Sequence, residues 1–466
     1  MLRDYLYQKF EYLIVFHAIL GGLIFLFPVL GTVYSILIFF VFLGLILNSP
    51  KPVAHHYAGY LVAAEILFRV SRSSIFYEFG KYSCIVVLLA GVIKSKIYKR
   101  KNFTFIFILF LFVPSLLISD LSTFSRHLDQ ISFYFSGILL LIISVAYFRS
   151  IALEPRDFQT LLRFMILPYI STVVYLFLSS SSIIDMEFTL GASAEASGGF
   201  GPNQVSTSLG LGAIVAFLLF RDKITIFNSK NFILIIIALI ALRGLITFSR
   251  GGMLGAVGAF ALVLFMGRSF TRKRKSQIKI LPAILFVTVL GAITYYVNDQ
   301  TGGLLSLRYQ GETVDHFYYG TNKGPNMFTG RDIIWQQEWD IFLDNPILGA
   351  GVGMSSFIRS TDGFSSASHT EYSRLIAEHG MVGLLMNFLL IMLPVSRYLY
   401  FRKRKYRSDL LVAFAFLALF TMGHSAMRLS IPGFLFGLSQ VVFLPTVAAS
   451  IEPEPSESSE QVPITT

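Results

Sequence analysis

Long apolar runs separated by short polar interruptions fill most of the chain. Runs near or above about 18 apolar residues recur, the length a helix needs to cross about 30 Å of hydrocarbon at 1.5 Å per residue. They do not alternate with the period of two that a closed barrel requires. Only helices and barrels satisfy their backbone inside lipid, so the runs read as transmembrane helices. Fourteen follow, at 11–30, 32–47, 57–71, 82–97, 103–119, 131–148, 164–182, 205–220, 231–247, 251–267, 280–297, 380–400, 409–424 and 432–450. The run at 57–71 is the most polar, but Glu65 and Arg69 stand four residues apart and can pair on a face turned away from lipid. The first run has no small-residue cleavage site and is followed at once by another, which argues against a signal peptide. The pattern predicts an all-α polytopic membrane helix bundle of about fourteen transmembrane helices, with one transmembrane domain over 1–450.

Two segments depart from the pattern. The stretch 298–379 is far longer than an ordinary connection, and loops of that size are functional or disordered. Trp335 and Trp339, the only two tryptophans, stand four apart in GRDIIWQQEWDIFLDNPILGAG, where Ile334, Phe342 and Leu343 continue a helical face. They fit an interfacial aromatic anchor, a packed lid over a site, or both. The tail IEPEPSESSEQVPITT, with four Glu and three Pro, has little to bury and is expected to be disordered.

Composition agrees with the pattern. Of 466 residues 54% are hydrophobic, above the roughly 45–50% of soluble domains, and the mean hydropathy is +0.66. The net charge of +11 would suit nucleic acid, but its distribution points elsewhere. With the N-terminus in the cytoplasm, the loops 94–102, 149–163, 221–230, 268–279 and 402–407 fall inside and hold 22 of the 38 Lys and Arg. The RKRK blocks at 272 and 402 are therefore topology anchors, and no nucleic-acid partner is expected. Both termini are then cytoplasmic, and 183–204, the turn at Arg250 and 298–379 share the opposite face. The single cysteine, Cys84, excludes an intramolecular disulfide.

That shared face collects the candidate chemistry. In SASHTEY, Ser368 followed by Glu371 three residues later is a capping-box pattern, making Ser368 the N-cap and His369 the first helical residue. The positive end of a helix dipole disfavours imidazolium, so His369 would stay neutral and able to accept a proton; a polar histidine at headgroup level is the structural alternative. His379 precedes Gly380 and the next span, and His424, His316, His55 and His56 lack a supporting context. Arg250, in ITFSRGGMLGAVGAF, is a span-end charge or an anion ligand, and the glycines after it suit close helix packing. Arg331 has the same two readings, with Asp332 or Glu338 as structural partners. In GGFGPNQVSTS, Pro202 suits a first helical turn and Asn203 is a candidate sugar contact. Glu65, Arg69, Arg72, Glu78 and Lys81 cluster near a boundary, as a functional set or an ion-pair network. No His and carboxylate set has metal-ligand spacing, so no metal or other cofactor is implied.

TFSRGG, a basic inner loop, GRDIIWQQEWDIFLDNPILGAGVGMSSF and HTEYSRLIAEHGMVG, in that order, resemble the O-antigen ligase and polymerase superfamily of bacterial polysaccharide assembly over about 200–400. The most specific part is His369, Thr370, nine residues, then Gly380 and Gly383. The resemblance implies inverting, metal-independent glycosyl transfer at the periplasmic face of the inner membrane. The donor would be a glycan on undecaprenyl diphosphate, and the acceptor another lipid-linked glycan or lipid A core. It casts His369 as general base and Arg250 and Arg331 as diphosphate ligands, with Asn203, Thr370 and Tyr372 as sugar or acceptor contacts and a chain-length regulator as a further candidate partner. Thr370 stands where ligases more often have Asn, Ser or Gln, which leans the reading to a polymerase. A ligase shares donor and residues, and a protein oligosaccharyltransferase uses the same scaffold. A transporter or flippase for lipid-linked glycans is the alternative of another class.

Overall fold

The computed structural model describes residues 8–94, 108–119, 124–229, 231–266, 280–314, 331–361, 368–402 and 408–444. The tail 451–466, the RKRK block at 272 and most of the one at 402 lie outside them. The chain opens with α1 (Phe10–Leu26), α2 (Pro28–Asn48), α3 (Ala54–Val70), α4 (Phe79–Lys94), α5 (Val113–Ile118) and α6 (Phe124–Ser150). A short strand β1 (Ala152–Leu153) leads to α7 (Pro155–Ser179), α8 (Pro202–Arg221), α9 (Asn231–Ile246), α10 (Arg250–Met266) and α11 (Ile280–Gln300). Three short helices follow in the long connection: α12 (Leu304–Gln310), α13 (Arg331–Asp344) and α14 (Met354–Thr361). The chain returns through α15 (Glu371–Arg402), α16 (Ser408–Ser425), α17 (Ile431–Leu438) and β2 (Val442–Phe443).

At the centre stand α3, buried at every position, and α8, buried along nearly its whole length. Helix α3 packs on α4 and α7, and α8 on α7, α9 and α10. Lipid tails are as apolar as leucine, so close backbone approach and buried polar pairs, rather than hydrophobicity alone, hold such helices together. Gly252 illustrates the approach: a Cβ there would lie 2.3–2.4 Å from backbone atoms of Ser206 and Thr207 on α8. The boundary cluster supplies polar pairs. Arg69 lies 2.7 Å from Glu65 and 3.2 Å from Glu78, Lys81 lies 2.7 Å from Glu78, and Glu65 accepts from the Ser430 amide and hydroxyl. The i,i+4 pairing of Glu65 and Arg69 is thus as the spacing predicts. Arg72 stays outside these pairs, exposed and left-handed at φ 53°.

The structure is all-helical with membrane-spanning character, but five helices among the described residues are both long and apolar enough to cross a bilayer, and five shorter apolar ones accompany them. The predicted set of fourteen changes at several points. The break between the first two runs falls at Phe27, because Pro28 starts α2 with its fixed φ and no amide donor. Of the run 103–119, residues 103–107 lie outside the described residues. The run 432–450 is not one helix: α17 ends at Leu438 and the chain extends as β2, parallel to β1, with the Leu444 amide donating to the Leu153 carbonyl at 2.9 Å. Val441 and Phe443 are buried, and β1 supplies hydrogen bonds that this extended backbone needs away from water.

The run 380–400 also begins earlier and is bent. Residues 371–379 and 381–402 are helical, but Gly380 sits at φ 57°, ψ −130° and breaks the ladder. The Asn387 amide donates to the Tyr372 carbonyl at 2.9 Å, so 371–379 folds back alongside the span. The turn NPILGAG fills the break. The Ala350 and Gly351 amides donate to the Ala377 and Glu378 carbonyls at 2.9 and 3.1 Å, and the Met381 amide to the Ile347 carbonyl at 3.1 Å. The break thereby anchors the residues just before 371.

Candidate active site

Helix N-termini deliver most of the site. Thr247, Phe248 and Ser249 form a tight turn into α10, of which Arg250 is the first residue. Phe248 is buried and left-handed at φ 55°, a conformation that costs a bulky residue about 1–3 kcal/mol and persists only where surroundings fix it. Here the Phe188 ring stacks on it at 5.0 Å and its carbonyl accepts from Arg308 Nε at 3.5 Å. Pro202 opens α8 as predicted, and the next residue, Asn203, accepts from the Ser249 hydroxyl at 2.7 Å. Arg331 is the first residue of α13 and Arg308 lies near the end of α12.

These residues meet in a cavity of about 950 Å³. Its polar part presents Asn203, Ser249, Arg250, Arg308 and Arg331, with Asp332 as a carboxylate, while Thr370 and Tyr372 line it from the α15 side. Leu254 on α10 and Phe416, Leu419 and Phe420 on α16 make an apolar wall, and Leu254 is 39% exposed on the outer flank of the bundle. The Arg250 guanidinium donates to the Arg308 carbonyl at 2.9 Å, which draws the two arginines together. Burial, then the nearby Arg250 and Arg331 charges, pushes Arg308 down to about 10; burial, then Arg250 and Arg428, also lowers Arg331. Cations that depress one another around a shared space form a site for an anion.

Five of the six residues singled out by sequence therefore line one cavity: Asn203, Arg250, Arg331, Thr370 and Tyr372. His369 stands one residue behind Thr370, beside the lining. Its Nδ1 is buried with no hydrogen-bond partner. Burial, then the charges of Arg428, Arg331 and Arg359, pushes His369 down to about 3, so the imidazole is neutral. The sequence names a helix dipole as the cause; the causes found here are burial and neighbouring arginines, and the predicted capping box is not formed. The helix begins at Glu371, and Thr370 is the cap, its hydroxyl accepting from the Ser373 amide at 3.3 Å. Ser368 instead donates to Glu338.

Glu338 organises this turn. It is fully buried, accepts from Ser373 at 2.5 Å as well as from Ser368, and pairs with Arg359 at 2.5 Å. The suggested pairing of Arg331 with Glu338 is thereby replaced. Helix α13 buries Ile334, Glu338, Ile341 and Phe342, whereas Leu343 is exposed and does not continue the face. Trp335 and Trp339 stack at 6.1 Å on the outer side, and Trp335, 50% exposed, lines the cavity.

Sequence reasoning passed over three residues. His424 lines the cavity, with Nε2 3.1 Å from the Thr207 hydroxyl and Nδ1 2.8 Å from the Phe420 carbonyl. Arg428 donates to the Ser368 carbonyl at 2.6 Å. A histidine at the end of an apolar span with an arginine four residues on is a signal in its own right. Arg308 sits between Gly303 and Gly311, both left-handed, which frame its short helix.

Residues 232–388 match the family model described as O-antigen ligase, a stretch that contains Arg250, Arg308, Arg331 and His369 and stops short of His424. No curated protein matches the chain. A partly buried guanidinium cluster, a neutral imidazole beside it and this match point the same way: residues 232–388 are similar to the O-antigen ligase family, which supports the O-antigen ligase and polymerase superfamily.

Proposed function

We propose that the protein is an inverting glycosyltransferase that takes a glycan from undecaprenyl diphosphate and, acting as a polymerase, joins it to a second lipid-linked glycan at the periplasmic face of the bacterial inner membrane. The observation that carries the reading is the mixed cavity: three guanidinium groups at its polar part, an apolar wall reaching the outer flank, and His369 beside it. Diphosphate suits the cations, and a polyprenyl chain suits the wall formed by Leu254, Phe416 and Phe420.

The step needs one base and a stabilised leaving group. The acceptor hydroxyl gives its proton to the His369 imidazole while its oxygen bonds to the anomeric carbon. The carbon–oxygen bond to the diphosphate breaks, and the pair leaves with the phosphate oxygen, whose added charge Arg250, Arg308 and Arg331 stabilise. Direct displacement inverts the anomeric centre, and the guanidinium charge serves the role a divalent cation serves elsewhere. The ligase reading, with lipid A core as acceptor, is favoured by the description of the matching family model and differs only in acceptor.

The test is purified protein, in detergent and in a second arm reconstituted into lipid vesicles, with a synthetic undecaprenyl-diphosphate repeat unit. Release of undecaprenyl diphosphate with growth of the glycan supports polymerase action; release only with lipid A core supports a ligase; passage of donor across a vesicle without release rejects both in favour of transport. His369→Ala should lower turnover about 10²–10⁴-fold, the range for losing a general base, with donor binding retained. Undiminished turnover would remove His369 from the chemistry.

A further inference from the structure

A second cavity, of about 460 Å³, opens at the same end of the bundle, between the turn after α3 and the glycine turn before α8. Four aromatic rings border it: Phe68, which is fully buried, and Phe76, Tyr77 and Phe200. Phe76 and Tyr77 are 49% and 52% exposed, and the Tyr77 ring lies 6.5 Å from that of Phe200. Arg69 holds Tyr77 from behind, its guanidinium carbon 4.4 Å from the ring centre. Arg72, which takes no part in the neighbouring ion-pair network, and Ser74, whose hydroxyl is buried without a hydrogen-bond partner, add polar groups to the same space. Aromatic faces beside a guanidinium and a hydroxyl match a sugar, which presents a C–H face to a ring and hydroxyls to polar groups. A membrane-interface belt needs neither a concave site nor an unsatisfied hydroxyl.

This cavity is wired to the first. Arg69 donates to the Arg428 carbonyl at 3.1 Å, and Arg428 donates to the carbonyl of Ser368, the residue before His369. Arg69 also reaches Gln204 at 3.5 Å, next to Asn203 of the first cavity. Two side chains, Arg69 and Arg428, thus connect the aromatic cavity to the turn that carries His369, and Thr370 of that turn faces the guanidinium cavity.

Building on the proposed function, we infer that the second cavity seats the acceptor, a sugar whose free hydroxyl approaches His369 past Arg428 while the donor diphosphate occupies the guanidinium cavity. The division suits a displacement in which nucleophile and leaving group must occupy separate positions about one carbon. It also gives the exposed rings of Phe76 and Tyr77 a ligand of defined class.

The experiment uses the full chain in detergent with undecaprenyl-diphosphate repeat unit as donor and two acceptors in separate arms. One is an alkyl glycoside of the repeat unit, which lacks a diphosphate and cannot act as donor; the other is lipid A core. Tyr77→Ala and Phe76→Ala should each raise the acceptor KM roughly tenfold, equivalent to about 1.4 kcal/mol of lost contact, and leave donor KM unchanged. Tyr77→Phe, which keeps the ring, should stay near wild type. The arm that shows the shift identifies the acceptor source. Acceptor KM within about twofold of wild type in both alanine variants overturns the acceptor site while leaving the proposed function standing. Donor and acceptor KM rising together would also overturn it, as a general disturbance of the frame. Wild-type protein that transfers to neither acceptor removes the proposed function and this inference with it.

Discussion

Two histidines lie beside the guanidinium cluster, and their surroundings separate their roles. His424 has one nitrogen against a backbone carbonyl and the other against Thr207, so neither is spare for a substrate. His369 keeps Nδ1 unpartnered and is neutral because burial and the charges of Arg428, Arg331 and Arg359 oppose imidazolium. Its value of about 3 in the free protein means the basic form persists far below the ordinary histidine range. The acid limb of kcat/KM, which reports the free enzyme, should therefore be missing between about pH 5 and 8. Bound diphosphate would offset the Arg331 charge and raise the imidazole, so the acid limb of kcat should lie at higher pH than that of kcat/KM. A pH–rate series tests both, and a kcat/KM limb near the unperturbed histidine value would contradict this environment. Arg308→Ala should lower kcat/KM for the donor about 10²-fold, as removal of a charge-stabilising donor does, with Arg308→Lys recovering part of it. Equal kcat/KM in wild type and Arg308→Ala would exclude Arg308 from the donor site.

At the level of elements, the site depends on how α13, α14 and the 368–373 turn are tied together. Glu338 accepts from Ser368 and Ser373 and neutralises Arg359, bracketing His369. Glu338→Ala leaves the Arg359 charge buried, a change of about 3–5 kcal/mol; thermal unfolding in detergent and hydrogen exchange over 368–379 should both register it. Turnover should fall with donor KM little changed, since Arg250 and Arg308 are held independently by the α10 turn. Glu338→Gln keeps an acceptor for the serines and should lose less. These ties explain what sequence could and could not reveal. Periodicity located α8 and α13, because those are local patterns of Pro and apolar residues, whereas the bend at Gly380 depends on the NPILGAG turn that fills it. The capping box failed because a tertiary partner, Glu338, claimed the Ser368 hydroxyl. Arg308 escaped notice and His424 was set aside for want of a supporting context, because their roles arise only when α12 reaches the α10 turn and α16 reaches α8, more than 50 residues away in each case.

For the molecule as a whole, the polar site residues collect at one end of the bundle while basic loops dominate the runs assigned to the other. Cys84 is fully buried and leaves the native protein without an accessible thiol among the described residues. Cysteines introduced at Ile184, exposed beside the site end, and at Lys51, exposed at the far end of α3, give an orientation test. In intact spheroplasts Ile184→Cys should react with an impermeant maleimide and Lys51→Cys only after permeabilisation; the reverse order would put the guanidinium cavity in the cytoplasm.

The pairing of β2 with β1 bears on how the protein is made. An apolar stretch that leaves its helix at Leu438 carries buried amides and carbonyls that need partners within the protein, and the 152–153 strand between α6 and α7 answers them. The segment after Ser430, with a helix of only eight residues before the chain extends, is too short to enter the bilayer as an autonomous hydrophobic unit. It has to wait for earlier parts of the chain to assemble a receptor for it. Lesions near Ala152 should accordingly appear as poor biogenesis and proteolytic loss of newly synthesised protein, while the molecules that do mature would work at normal speed.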